Sequence, residues 1–196
     1  MTAATRTPKG EATRARLLAV AGEELVAHGT VEVAAVAARA GVAASVIYRY
    51  FDGKDGLVAA VVHDFYDQYD AAVFAVAVPP GEGTWLEREA ARIGREVRFL
   101  YAHPLGRAVA AGLLHEEAAT RADAARQREQ VAAAARNIRH GQRAGELPRT
   151  VDAGLAAAAI IGALRATLAE ALGRARPPAA RRVADTVVRA GAALLA

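Results

Sequence analysis

The chain has 196 residues, a formal charge of +4, 54% hydrophobic residues of which few are aromatic, and no cysteine. Length allows a sizeable buried core, and a composition dominated by Ala, Val and Leu favours helix, because alanine loses no side-chain freedom there. The lack of cysteine excludes disulfides, thiolate catalysis and cysteine-ligated zinc, which accords with a cytoplasmic protein. The longest apolar run, residues 153–164, is shorter than the roughly 18 residues a bilayer span needs, so no membrane partner is expected.

Residues 11–28 form the first predicted helix, with Leu17, Leu18, Ala21, Leu25 and Val26 on one face and Gly29 as its stop. A basic arm precedes and enters it, with Arg6, Lys9, Arg14 and Arg16 opposed only by Glu11, and such an arm suits phosphate contacts. Short helices follow over residues 33–40 and from 43 or 44 to about 50, hinged at Ala40-Gly41-Val42-Ala43. Two short helices joined by a glycine-containing turn make the helix-turn-helix plan, whose second helix enters the major groove.

The fourth helix carries Leu57, Val58, Val61, Val62, Phe65, Tyr69 and Val73 until Pro79 and Pro80 break it. Thr84 and Glu87 have capping-box spacing and open a fifth helix running to about Pro104; a short sixth extends to about Leu114. A seventh spans 116 to about 144, and Asp152 is placed to cap an eighth over 153–172. That eighth helix is apolar almost all round, with a ridge of Ile160, Leu164, Leu168 and Leu172 beside a row of Gly154, Ala158, Gly162 and Ala166. The ninth shows Ala184, Val187, Val188, Gly191 and Leu195 as its stripe. Burying both final helices points to a homodimer joined through residues 153–172 and 179–195.

Catalytic signatures are missing. Ser45, the only serine, has no nearby histidine, and the residues three before His28, His63, His103, His115 and His140 are never glutamate, which leaves no di-iron motif. Neither the metalloprotease motif, nor a phosphate-binding loop, nor a dinucleotide fingerprint occurs. We therefore expect no enzyme, no catalytic residue, no cofactor and no metal site.

In the stretch GVAASVIYRYFDGKDGL, residues 41–57, Val42, Ile47 and Phe51 are spaced to form a small core. Ala44, Ser45, Val46, Tyr48, Arg49 and Tyr50 are left to meet DNA, with Lys54 at the next helix start and Arg14 on the first helix. Arginine can donate two hydrogen bonds to guanine, serine reaches several base edges, valine can touch a thymine methyl, and tyrosine and lysine can hold phosphates.

At fixed spacing, Arg16-Leu17-Leu18, Ala21, Gly29, Val36-Ala37, Ala40-Gly41-Val42, Ile47-Tyr48, Phe51, Lys54-Asp55 and Leu57 resemble the tetracycline-repressor (TetR/AcrR-like) family of transcriptional regulators. The likeness continues more weakly through Gly141-Gln142, residues 144–147 and the apolar helix after Asp152. It implies an all-α fold of about nine helices: a helix-turn-helix DNA-binding domain over residues 1–54 and an effector-binding and dimerisation domain over 55–196. The implied function is a homodimeric repressor that releases a palindromic double-stranded DNA operator when a small, largely apolar effector binds. Val33 and Ala43 stand where the family often has hydroxyl caps, and Ala34 and Ala44 where larger polar side chains often contact DNA, leaving Arg49 and Ser45 as the main base readers.

Residues available to line an effector pocket are Phe65, Tyr66, Tyr69, Phe99, His103, Arg107, Arg128 and Asn137. Arg128 lies in line with Ala124, Val131, Ala135 and Ile138, where it could receive an anionic group or pair with a carboxylate. Two other classes remain open at this stage: a helical-bundle carrier or enzyme without a DNA role, and an interaction module with a filled core. A cavity among helices four to eight would count against the filled core.

Overall fold

The structure is a computed structural model that describes residues 7–74 and 83–196. Among these it has nine α-helices and no strand: α1 Pro8–His28, α2 Val33–Arg39, α3 Ala44–Tyr50, α4 Gly53–Phe74, α5 Trp85–Ala102, α6 Gly106–Ala110, α7 Glu117–Arg143, α8 Ala153–Gly173 and α9 Ala180–Leu194. The expected break at Pro79 and Pro80 and the basic residue Arg6 lie outside the described residues.

Helix ends follow local chemistry. Helix α1 starts at Pro8 because Thr7 caps it, its Oγ1 accepting from the Gly10 N–H at 3.1 Å. It stops at Gly29, whose φ of 70° is the left-handed conformation glycine adopts without a Cβ clash. Thr84 and Glu87 form the reciprocal capping box of α5, and the Asp152 carboxylate accepts from Gly154 and Leu155 at the start of α8. Neither α2 nor α3 has a side-chain cap, as Val33 and Ala43 led us to expect.

The chain divides into two compact units, Met1–Gln68 with Gly112–Ala124, and Tyr69–Ala111 with Ala125–Ala196. In the first, α1 packs on α2 and α2 on α3 around Leu17, Leu25, Val31, Val36, Ile47 and Leu57. Phe65 and Tyr66 are buried in this unit too, ring edge to ring face at 5.0 Å, with the Tyr66 hydroxyl donating to Asp123.

In the second unit α9 lies between α5 and α8, and α6 bridges α5 and α8. Its core gathers Trp85, Ala135, Ile138, Leu147, Ala156, Ala157 and Leu195. Helix α8 is longer and more apolar than its uninterrupted run suggests: by length and composition alone it could cross a membrane. Its Leu164, Leu168 and Leu172 ridge is buried on neighbouring helices, however, while Leu155, at 73% exposure, and Ala158, Gly162 and Ala166 are open.

Gly106 marks the tightest turn. The chain doubles back after α5 so closely that a Cβ here would overlap the Leu100 carbonyl oxygen, a backbone atom that cannot step aside. Gly106→Ala should therefore cost about 2–3 kcal/mol, read as a lowered urea midpoint with unchanged slope; a midpoint equal to wild type would show that the turn relaxes.

Candidate functional site

The first candidate is the outer face of α3. Ser45, Tyr48 and Arg49 fall at i, i+3 and i+4, so they share one side of the helix, and all three are exposed, Tyr48 at 63%. Ala44 is exposed beside them, Val46 and Tyr50 are half-buried, and Ile47 is fully buried. The expected division of the helix into a core side and an outward side is thus present. Arg49 lies over the Tyr50 ring at 5.5 Å and Arg14 over the Phe51 ring at 5.5 Å, which gives two basic side chains a fixed aromatic support.

Gly41, at φ 67°, makes the sharp turn between α2 and α3 with open space around its Cα. Behind this face Arg39 ties the end of α2 to α1 through Glu23 and Glu24.

Lys54 has a more involved setting than its position at a helix start implied. Its ammonium lies 3.0 Å from Glu116, whose same oxygen accepts from the Val31 N–H at 2.9 Å. One carboxylate from the 112–124 segment therefore holds both the loop before α2 and the start of α4. Burial pushes the Glu116 carboxyl up, but the Val31 amide and the Lys54 ammonium outweigh it and hold it below the ordinary carboxylate value. His115, the preceding residue, donates its backbone N–H to the Gly29 carbonyl and stacks its ring so near that a Cβ on Gly29 would collide with it.

The second candidate is a cavity of about 340 Å³ inside the second unit, lined by Tyr69, Phe74, Arg92, Glu96, Arg126, Glu129, Gln130, Ala133, Ala134, Arg136 and Ile161. A smaller apolar pocket of about 50 Å³, bordered by Trp85, Ile93, Ile138, Leu164, Val187 and Leu195, shares Arg92, Glu96, Ala134 and Ile161 with it. Glu96 is the one buried charged or polar residue among those described, at 7% exposure, and its Oε1 accepts from the Tyr69 hydroxyl. Burial pushes its carboxyl above the ordinary value, against the pull of Tyr69, Arg92 and Arg165. Burial likewise lowers the Arg92 guanidinium, which pairs with Glu89 and lies over the Phe74 ring at 5.8 Å. Arg126 pairs with Asp70 and with Glu129, yet Asp70 Oδ1 is buried without a hydrogen-bond partner.

Of the residues expected at a pocket, Tyr69 lines the large cavity, and Asn137 lines the small one while donating to Glu89 at 2.9 Å. Phe65, Tyr66, Phe99, His103, Arg107 and Arg128 line neither. Phe99 supports Tyr69 edge to face at 5.7 Å and stacks on His103 at 5.2 Å, one layer behind the cavity. Arg107 and Arg128 are exposed. Val131, Ala135 and Ile138 of the expected α7 stripe do pack on the core, but Arg128 is exposed, and Arg126, half-buried, lines the cavity instead.

Arg92, Glu96, Arg126, Glu129, Gln130 and Arg136 were not read from the sequence as lining residues. For Glu96 a signal existed: it sits between Ile93, Val97 and Leu100 at helical spacing, a carboxyl inside an apolar stripe. Among the described residues no group of histidine, aspartate and glutamate could hold a metal ion.

A three-helix unit that presents an exposed basic recognition helix across a glycine turn is a helix-turn-helix DNA-binding module. Residues 17–61 match the family model of bacterial regulatory proteins, tetR family. Residues 17–61 thus carry the DNA-binding segment of the tetR family of regulators. The chain's fold resembles that of a transcriptional regulator FadR from Bacillus subtilis in complex with stearoyl-CoA, at 16% identity and a TM-score of 0.77 over 93% of this chain and 99% of that one. It also resembles a TetR-like transcriptional regulator from Rhodococcus sp. RHA1 (19% identity, TM-score 0.67, 96% and 99% covered). A third likeness is the R. erythropolis transcriptional repressor QsdR (18%, 0.55, 94% and 95%). No curated protein sequence matches the chain.

Replacing Glu116 by Ala should remove the two-sided contact and cost about 1–2 kcal/mol at pH 7. Because the folded value lies below the ordinary one of 4.5, the wild-type advantage is complete above that pH and is lost as the pH falls through the folded value. Urea unfolding of both proteins between pH 3 and 7 checks it; a constant gap across that range would remove Glu116 ionisation as the cause.

Proposed function

We propose that the chain is a homodimeric repressor that binds a palindromic operator through residues 1–54 and releases it when a small effector binds within residues 55–196. The exposed face formed by Ser45, Tyr48 and Arg49 carries this reading, since a recognition helix with its polar side chains in solvent has DNA as its natural partner. Ala44, Val46 and Tyr50 border that face, Arg14 and Lys54 flank it with positive charge, and the protein acts in the cytoplasm without catalysis. Arg49 reads a base edge and Lys54 meets a phosphate, which requires it to leave or share Glu116.

Pairing through α8 and α9 is supported by the open row of Leu155, Ala158, Gly162 and Ala166, together with Leu194 at 46% exposure. A two-fold axis there makes each copy cover the other's apolar face, and two recognition helices then meet two half-sites. The cavity supports an effector site, and the Bacillus relative was solved with a small-molecule ligand, stearoyl-CoA. Release follows only when the effector binds the operator-free conformation more tightly than the other.

Gel-shift titration with DNA flanking the protein's own gene tests the reading: specific retardation at moderate salt is expected, and none at any concentration would overturn it. Arg49→Ala should cost about 1–3 kcal/mol and relax preference at one base pair per half-site. Lys54→Ala should weaken all sequences alike and reduce the salt slope by about 1. Identical behaviour of the two variants would refute the division of roles.

The dimer is tested separately by Gly162→Arg, because a Cβ at Gly162 has nothing within 4 Å of it in the monomer. Light scattering should then report the 20.4 kDa chain in place of twice that mass, with helix content retained. A mass unchanged from wild type would place the interface elsewhere.

A further inference from the structure

The two cavities of the second unit meet at Arg92, Glu96, Ala134 and Ile161, so polar groups sit at the junction of a roomy space and an apolar one. The larger volume, about 340 Å³, is within the range of small-molecule sites. Its chemistry narrows the occupant. A cation is disfavoured because Arg92, Arg126 and Arg136 all line the space, with Arg165 near Glu96. Glu129 and Asp70 meet the charge of Arg126, and Arg92 pairs with Glu89 and feels Glu96 nearby, while Arg136 adds a further positive charge to the lining.

Glu96 adds a second donor. The Tyr69 hydroxyl donates to its Oε1, and burial pushes its carboxyl toward the neutral acid, the form whose other oxygen can donate to the cavity. Guanidinium and carboxylic acid together offer donors where a fully apolar molecule has nothing to accept them. A carboxylate does, and it brings the negative charge the arginines call for.

We propose that the cavity binds an amphipathic monocarboxylate, its carboxylate received by the Arg92 guanidinium and the Glu96 carboxyl and its apolar body lying along Phe74 and Ile161 toward the pocket of Trp85. This rests on the reading of the second unit as an effector domain and makes the effector an organic anion with an apolar body.

Binding to the full-length chain is measured by calorimetry and by the fluorescence of Trp85, the chain's only tryptophan, which borders the apolar pocket. The probes are 4-phenylbutyrate and octanoate, with 4-phenylbutanamide and 4-phenylbutylamine as uncharged and cationic counterparts of the first. The carboxylate should bind about tenfold more tightly than the amide and the amine most weakly, with a shift in Trp85 emission. Arg92→Gln should reduce the carboxylate preference about tenfold while leaving amide binding within about threefold. Glu96→Gln, which keeps a donor, should hold affinity where Glu96→Leu loses it.

The wild-type probe series decides the question even when a variant fails to fold. An amide or amine that binds as tightly as the carboxylate overturns the proposal. So does the absence of saturable binding by both carboxylates in a protein that still retards its operator, and that result leaves the regulator reading intact. Carboxylate-selective binding without any specific DNA retardation sustains the ligand class and overturns the repressor reading instead.

Discussion

Close helix approach is the constraint on which the second unit depends. With few aromatic side chains, its core sets many alanines among leucine, isoleucine and valine, and alanines bury area only when backbones come near one another. Gly141 shows the limit: a Cβ there would come within 2.8 Å of the Trp85 ring and 3.0 Å of Leu147. Gly191 lets α9 settle on Ile160, and Ala156 and Ala157 do the same for the first turns of α8. Where the backbones diverge, alanine cannot fill the gap. Ala133 and Ala134 on α7 border the cavity, and the space in front of them is reached by the long side chains of Arg92, Arg126 and Glu96. Cavity and polar lining thus have one origin, a helix too poor in large apolar residues to close its own inner face.

The same alanine content decides what could be read from the sequence. Helix ends were legible because capping chemistry is local: Thr84 with Glu87, Asp152 and Gly29 each act on backbone groups within a few residues. The helix-turn-helix was legible for the same reason, and Ile47 inside with Arg49 outside follows from a seven-residue helix with a single apolar side. The phase of α7 was not. Its many alanines fit several stripes equally well: Val131, Ala135 and Ile138 do pack on the core, but one turn earlier Ala122 is buried and Arg126 half-buried while Arg128 is exposed. Pairing partners such as Asp70 for Arg126 or Tyr69 for Glu96 lie 56 and 27 residues away, beyond any periodicity argument.

In the first unit polar contacts replace missing caps. Helix α2 begins at Val33 without a side-chain cap, yet the Val31 amide just before it is bound by Glu116, a residue 85 positions later. A carboxylate brought in by the chain's return does part of what a local hydroxyl would have done. It also pairs with Lys54, so under the proposed function a DNA phosphate at Lys54 competes with this ion pair. That competition lowers affinity for all sequences equally, because a phosphate carries no sequence information.

Sequence discrimination is then left to very few atoms. On the outward side of α3, Ala44 offers a methyl group, Ser45 one hydroxyl and Arg49 one guanidinium, with Tyr48 beside them. One bidentate contact is worth about 1–3 kcal/mol against a wrong base, which is small beside the excess of competing sites in a genome. A reader this sparse gains most from using the same contacts twice, and a two-fold pair does so at fixed spacing without a new side chain. Under the proposed pairing, the apolar row on α8, remote in sequence from the recognition helix, bears on specificity as directly as Arg49 does: it sets whether two weak readings are combined or made separately.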